Sequence, residues 1–232
     1  MESKGPREPI EKQYSKYFID RDNIGNEVLG SMATNRWRSD SKLLGVTLSR
    51  YKFVSKMFTG LNSVLEVGAG DGWYSRIVLN EVHTLTLSDF DEIFLEDFER
   101  QEIYQQNKTH YLVHNFVVGP INKFFDGIYS LDVLEHILPA DQDSFLSNIC
   151  TSLLPSGCVI FGMPSIESQI YASEGSKLGH VNCQSGEELR DNLQRYFTNV
   201  FIFSMSDEVV HTGFTPMAHY LLALCTNPKK KV

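Results

Sequence analysis

The chain has 232 residues, 42% of them hydrophobic and 22% charged, and carries a formal charge of −8 with a sequence pI of about 5.4. That is enough chain for one domain with a sizeable core, and the acidic balance opposes sequence-independent attraction to nucleic acid or to an anionic membrane, so neither is expected as a partner. Four widely spaced cysteines without a C-x-x-C pair, an N-terminus without a signal-peptide core and no apolar run of spanning length predict a cytoplasmic protein with reduced thiols.

Residues 1 to about 12 are polar and proline-bearing. From Tyr14 to Lys42 aromatic and charged residues mix without a clean period, and Trp37 sits between Arg36 and Arg38. That tryptophan reads either as an anchor of the segment on the core or as a ring that stacks on a substrate whose negative group the arginines hold. Thr47 to Phe58 places Leu48, Tyr51, Val54, Met57 and Phe58 at helical spacing, with Gly60 just past the end.

Ser63 to Gly72 is an apolar run with one carboxylate inside it that breaks into alternating glycines: Glu66, Gly68, Ala69, Gly70, Asp71, Gly72. It reads as a buried strand, a tight turn in which ligand can approach bare backbone, and a helix from Trp73 to Asn80. The turn is not a phosphate-cradling P-loop, because no Gly-Lys-Ser/Thr triplet follows. It departs from the dinucleotide fingerprint too, since Trp73 occupies the place where a small residue must let helix and strand pack.

Val82 to Leu87 reads as the second strand and ends in Ser88-Asp89-Phe90-Asp91. A carboxylate at that point, about 20 residues after the glycines, is placed to accept from two ribose hydroxyls, and Asp89 is the candidate; Asp91 suits a helix cap. His110 to Phe116 reads as a third strand. Phe125 to Ile137 runs Phe-Asp-Gly-Ile-Tyr-Ser-Leu-Asp-Val-Leu-Glu-His-Ile, a fourth strand with a histidine just beyond it. Asp141 to Leu154 is an amphipathic helix, Leu154 to Gly157 a turn, and Cys158 to Gly162 a fifth strand. Ser185 with Glu188 forms a capping box for a helix to about Phe197, and Val200 to Met205 and Ala218 to Cys225 are the last strands. The lysine run Lys229 to Lys231 reads as a solvated tail.

The spacing Glu66-x-Gly68-x-Gly70-x-Gly72, together with Phe125-Asp126 and Val133-Leu134-Glu135-His136, resembles class I S-adenosylmethionine-dependent methyltransferases, in particular the small-molecule group of the ubiquinone-biosynthesis type (methyltransferase types 11 and 12). The resemblance spans roughly Leu61 to Cys225. It implies an α/β, Rossmann-like, doubly wound sheet of seven mostly parallel strands whose last pair is antiparallel. It also implies a methyltransferase domain over 61–232 behind an N-terminal helical extension, 1–60, that covers the substrate. The cofactor would be S-adenosylmethionine, with S-adenosylhomocysteine as product, held by Glu66, Gly68, Ala69, Gly70, Asp89 and Phe90. Asn115 and Phe116 would meet the adenine, and Leu131 would lie near the methionine end. Asn115 reads equally as a turn residue.

His136 and His180 are the candidate catalytic bases, because one follows the fourth strand and the other lies in the segment after the fifth. Each reads alternatively as a structural histidine. No H-E-x-x-H spacing occurs, and no metal is expected. The motif of exocyclic-amine methyltransferases is replaced by Ser130-Leu131-Asp132-Val133, which favours a small-molecule hydroxyl, of sugar or secondary-metabolite type, as acceptor. A macromolecular acceptor and a catalytically silent cofactor-binding module are the alternatives.

Overall fold

The computed structural model describes residues 8–101 and 108–229, so parts of the polar N-terminal stretch and of the C-terminal lysine run lie outside it. Eight strands form one sheet in the order β3-β2-β1-β4-β5-β8-β6-β7. β1 (Ser63–Val67), β2 (Thr84–Asp89), β3 (Thr109–Val113), β4 (Phe125–Leu131) and β5 (Leu153–Pro164) pair in parallel, and β6 (Phe197–Ser206), β7 (Val209–His211) and β8 (Tyr220–Pro228) complete the sheet antiparallel. The expected seven strands are therefore eight. The addition is β7, three residues that hairpin back onto the exposed edge of β6.

Side chains alternate across this sheet, as a strand's two-residue period requires. Ile128 of β4, Val159 and Phe161 of β5, and Leu221 and Ala223 of β8 enter a core shared with α6 (Gln142–Thr151) and α8 (Gly186–Gln194). Their neighbours Tyr129, Ile160, Tyr220 and Leu222 enter a second core, facing α3 (Ser41–Met57) and α4 (Arg76–Leu79). The result is three layers, helix on sheet on helix. α6 contributes Phe145, Leu146 and Ile149, all essentially inaccessible, each of which stabilises the packing by about 1.5–3 kcal/mol.

Local chemistry explains several boundaries. α3 begins earlier than the apolar spacing indicated, because Asp40 caps it by accepting from the Lys42 and Leu43 amides. The Ser185/Glu188 capping box opens α8 as expected. The predicted helix at Trp73 is reduced to a single 3-10 turn and the four residues of α4. The predicted turn at Leu154 to Gly157 is instead part of β5, which passes Phe125 and Gly127 with a register shift. Before the sheet come α1 (Ser15–Ile24) and α2 (Ser31–Ser39), the helical extension. α5 (Ile93–Glu99) follows β2, and Asp91 accepts from the Ile93 amide at its start. The short α7 (Glu174–Gly179) lies between β5 and α8, capped by Ser173.

Candidate active site

β1 ends at Val67, and the chain turns at Gly68 (φ 80°) and Gly70 (φ 54°), a region of backbone space that glycine enters freely. The shape is needed for packing as well as for conformation. A Cβ at Gly68 would overlap Val133, and one at Gly70 would overlap the Met32 sulfur. The amides of Gly68 and Ala69 both donate to the Ser88 carbonyl, and the Gly70 amide donates to Asp89 Oδ2 at 2.9 Å. Tyr111 donates its hydroxyl to the Gly70 carbonyl. The glycine turn is thus fastened to the end of β2 by the carboxylate proposed for ribose.

Beneath the turn Glu66 is buried, and its carboxylate accepts from the hydroxyls of Tyr51 at 2.9 Å, Tyr129 at 2.5 Å and Ser75. Burial outweighs those three bonds and raises its pKa to about 7. Glu66 therefore supports the turn from inside the core and is not part of the cavity wall. Asp71 is also buried. Its Oδ2 accepts from the Met32 and Ala33 amides and its Oδ1 from Trp73, so it caps α2 from outside that helix.

A cavity of about 570 Å³ opens over the carboxyl ends of β1, β2 and β4, where an open α/β sheet places its ligand. Of the residues expected to hold the cofactor, Gly68, Gly70, Asp89, Phe90, Asn115 and Phe116 line it. Asn115 combines both of its readings: it lines the cavity while its Oδ1 accepts from the Val117 amide. Ala69 and Leu131 are buried and stand outside the lining; Leu131 packs under Gly162. Tyr14, Tyr17, Phe18 and Trp37 are substantially exposed and outside it too, so the aromatic residues of the extension do not enclose this cavity. Met32 is the residue that α2 contributes.

The far end of the cavity lies past β4. Asp132 has φ 57°, and both its carboxylate oxygens accept from Arg50 Nη1, at 2.6 and 2.8 Å. The guanidinium is buried and stacks 3.7 Å above the Tyr220 ring. Asp132 and the phenol raise the Arg50 pKa against the lowering effect of burial, which is the largest single influence. A short turn, Leu134–His136, then carries Glu135 into the interior and His136 into the cavity wall. Glu135 Oε2 is buried without a hydrogen-bond partner, and burial pushes the carboxyl well above its ordinary pKa. His136 Nδ1 lies 2.8 Å from the Gly179 carbonyl oxygen, which can only accept, so Nδ1 carries the proton and Nε2 is free. His180 Nδ1 lies 2.7 Å from Gln169 Oε1 in the same way, and the two imidazole centroids are 5.2 Å apart. Burial, then the neighbouring His136, lowers the His180 pKa.

The structure therefore brings His136 and His180 together although they are distant in sequence. Sequence reasoning missed Met32, Phe94, His114, Asp132 and Val133 of the lining. Only Asp132, at the end of a predicted strand, carried a signal that could have marked it.

Residues 36–200 match the family model described as a methyltransferase domain. No curated protein matches the sequence significantly. Among solved structures, the N-methyltransferase NodS from Bradyrhizobium japonicum WM9 in complex with S-adenosyl-L-homocysteine is similar, with a TM-score of 0.59 at 18% identity over 83% of this chain and 92% of that one. A DhpI–SAM–HEP complex has a TM-score of 0.59 at 15% identity over 97% and 99%. The CurJ carbon methyltransferase has a TM-score of 0.58 at 14% identity over 77% and 54%. A strand-ordered sheet, a glycine turn pinned to the acidic end of β2 and the matched family model together lead to one conclusion: the chain belongs to the methyltransferase domain family, as a class I S-adenosylmethionine-dependent enzyme.

Proposed function

We propose that the protein methylates a small-molecule hydroxyl, with the cofactor lying along the cavity from Asp89 to the β4 exit and the acceptor entering from the His136 side. The observation that carries this reading is the arrangement of one cavity with a buried carboxylate at its β2 end and, past β4, His136 in its wall beside His180, each held through Nδ1. The residues present suit the cofactor: bare glycine backbone faces the cavity, and Asp89 Oδ1 and Oδ2 already accept from the Asp91 and Gly70 amides, which orients the carboxylate toward vicinal hydroxyls. Asn115 and Phe116 are the residues for the adenine edge and face.

When bound, S-adenosylmethionine supplies a methyl group on a sulfonium, transferable in line to a nucleophile. The chain's own part is alignment and exclusion of water, which can supply about 7–11 kcal/mol where geometry is good. Val133, Ile137, Leu138 and Phe145 form the apolar wall that does this. His136 and His180 assist loss of the acceptor's proton, typically a 10²–10⁴-fold effect. The concave shape and volume of the cavity, the net charge of −8 and the shortage of basic lining residues support a small acceptor over nucleic acid. Four cysteines outside any disulfide support a reducing, cytoplasmic setting, and no helix among the described residues is long and apolar enough to cross a membrane.

Calorimetry with S-adenosylhomocysteine, followed by transfer of labelled methyl to fractionated small molecules, tests the reading. Binding with label appearing in an ether or ester product supports it. Failure to bind S-adenosylhomocysteine, or label found only in protein, nucleic acid or amine products, overturns it.

A further inference from the structure

We propose that Glu135, His136 and His180 form a binding site for a divalent transition-metal ion at the acceptor end of the cavity. One donor atom from each residue lies within 4.8 Å of the others. Two imidazole nitrogens and a carboxylate oxygen are the donor set of open, three-ligand zinc sites, and they suit other first-row divalent ions.

Three features beyond proximity point to an ion. Glu135 is 1% exposed, yet its Oε2 has no hydrogen-bond partner, an expensive arrangement for a buried carboxylate unless a cation satisfies it. Both histidines are held through Nδ1, one by a backbone carbonyl and the other by a side-chain amide oxygen, which is the outer-shell bonding that fixes a ligating imidazole and aims Nε2. Gln169 is itself held, since its Nε2 donates to the Ser165 carbonyl and to Ser168 Oγ. The backbone under the cluster is closed as well: the Glu135 carbonyl accepts from the Val181 and Asn182 amides, tying the turn after β4 to the segment that carries His180.

Tetrahedral bonds of about 2.0–2.1 Å place ligand atoms about 3.4 Å apart. The three groups therefore draw together on binding, and the exposed His136, whose Nδ1 bond to the Gly179 carbonyl can be kept as its ring turns, takes up most of the adjustment. Its place in the cavity wall leaves the open coordination position facing the acceptor. That orientation rests on the reading of the cavity given above, whereas the metal site does not. There the ion would replace the two imidazoles as the group that assists deprotonation: it would take an acceptor oxygen as ligand and lower its pKa, so that the hydroxyl loses its proton to solvent before the methyl arrives.

The test is titration of chelator-treated full-length protein with Co²⁺, read by visible d–d absorption and by competition with Zn²⁺. The expected result is saturable uptake of one ion per chain. His180→Ala should weaken uptake by about 100-fold or more, and Gln169→Ala, which removes only the outer bond, by about 10–100-fold. Calorimetry with S-adenosylhomocysteine on the same proteins shows that each variant is folded and scores the cofactor reading separately. Glu135→Gln is a third variant, scored only if it retains that binding. Wild-type protein that binds S-adenosylhomocysteine but takes up no Co²⁺, or that takes it up unchanged in His180→Ala, overturns the proposal.

Discussion

Asp89 carries two duties in one carboxylate, since it orients the glycine turn and faces the cavity. Asp89→Ala removes both, and calorimetry with S-adenosylhomocysteine should show a loss of about 1–3 kcal/mol, roughly 5- to 150-fold in affinity. An unchanged dissociation constant would remove Asp89 from the site. Glu66 answers to a different measurement. Its pKa rises from an ordinary 4.5 to about 7 on folding, so the folded state holds a proton that the unfolded chain gives up. The contribution to stability is fully present below pH 4.5 and is lost as pH rises through about 7, a decline of about 3 kcal/mol. Glu66→Gln keeps a neutral side chain at all pH values and should flatten that decline. Denaturation of both proteins at pH 5 and pH 8 checks it, and equal pH dependence would locate the titration elsewhere. Glycines and short acidic motifs were readable at this scale because they mark backbone turns and charges. Whether a carboxylate points into the cavity or beneath it was not, as Glu66 and Asp89 demonstrate, because hydroxyls from distant elements decide the matter.

The elements with strong local signals emerged where expected: β1, β4, α6, α8 and its capping box. Those governed by partners elsewhere did not. β5 continues through a proline and glycine because its pairing with β4 absorbs a register shift there, and α2 has no side-chain cap of its own. Asp71 supplies that cap from the glycine turn, at 2.8 and 3.1 Å to two α2 amides. Asp71→Ala should therefore loosen α2 more than the sheet, at a cost of about 1–3 kcal/mol confined largely to that helix. Hydrogen exchange checks this: amides of residues 31–39 should exchange faster while those of β1 and β4 keep their protection. Uniform acceleration across the chain would show that Asp71 supports the whole fold instead. The same bond explains how Met32 is positioned over Gly70, a contact that no reading of the mixed aromatic and charged N-terminal segment could have found.

For the molecule as a whole, the parallel half of the sheet carries the cavity, and the antiparallel half reaches its lining indirectly, through Arg50 and Asp132. Arg50 of α3 lies between Asp132, at the β4 exit, and the ring of Tyr220, the first residue of β8. Replacing it with methionine leaves the carboxylate without its cation. Because Asp132 retains 36% side-chain exposure, solvent screens part of the loss, and a cost of about 1–3 kcal/mol is expected in denaturant midpoints. A stability within about 0.5 kcal/mol of wild type would show that the pair contributes nothing net. β6, β7 and β8 are consecutive in the chain and pair mainly with one another, joined to the rest of the sheet along the single β5–β8 seam. Such a unit can open cooperatively without global unfolding. When it does, Tyr220 leaves the Arg50 face, and the geometry of Asp132 at the β4 exit goes with it. Opening along the β5–β8 seam is therefore expected to lower catalytic competence. Amides of β6 and β8 should share one opening free energy below the global value, and the fraction of enzyme able to turn over should fall with that opening at mild denaturant, before the cofactor end near β2 is lost.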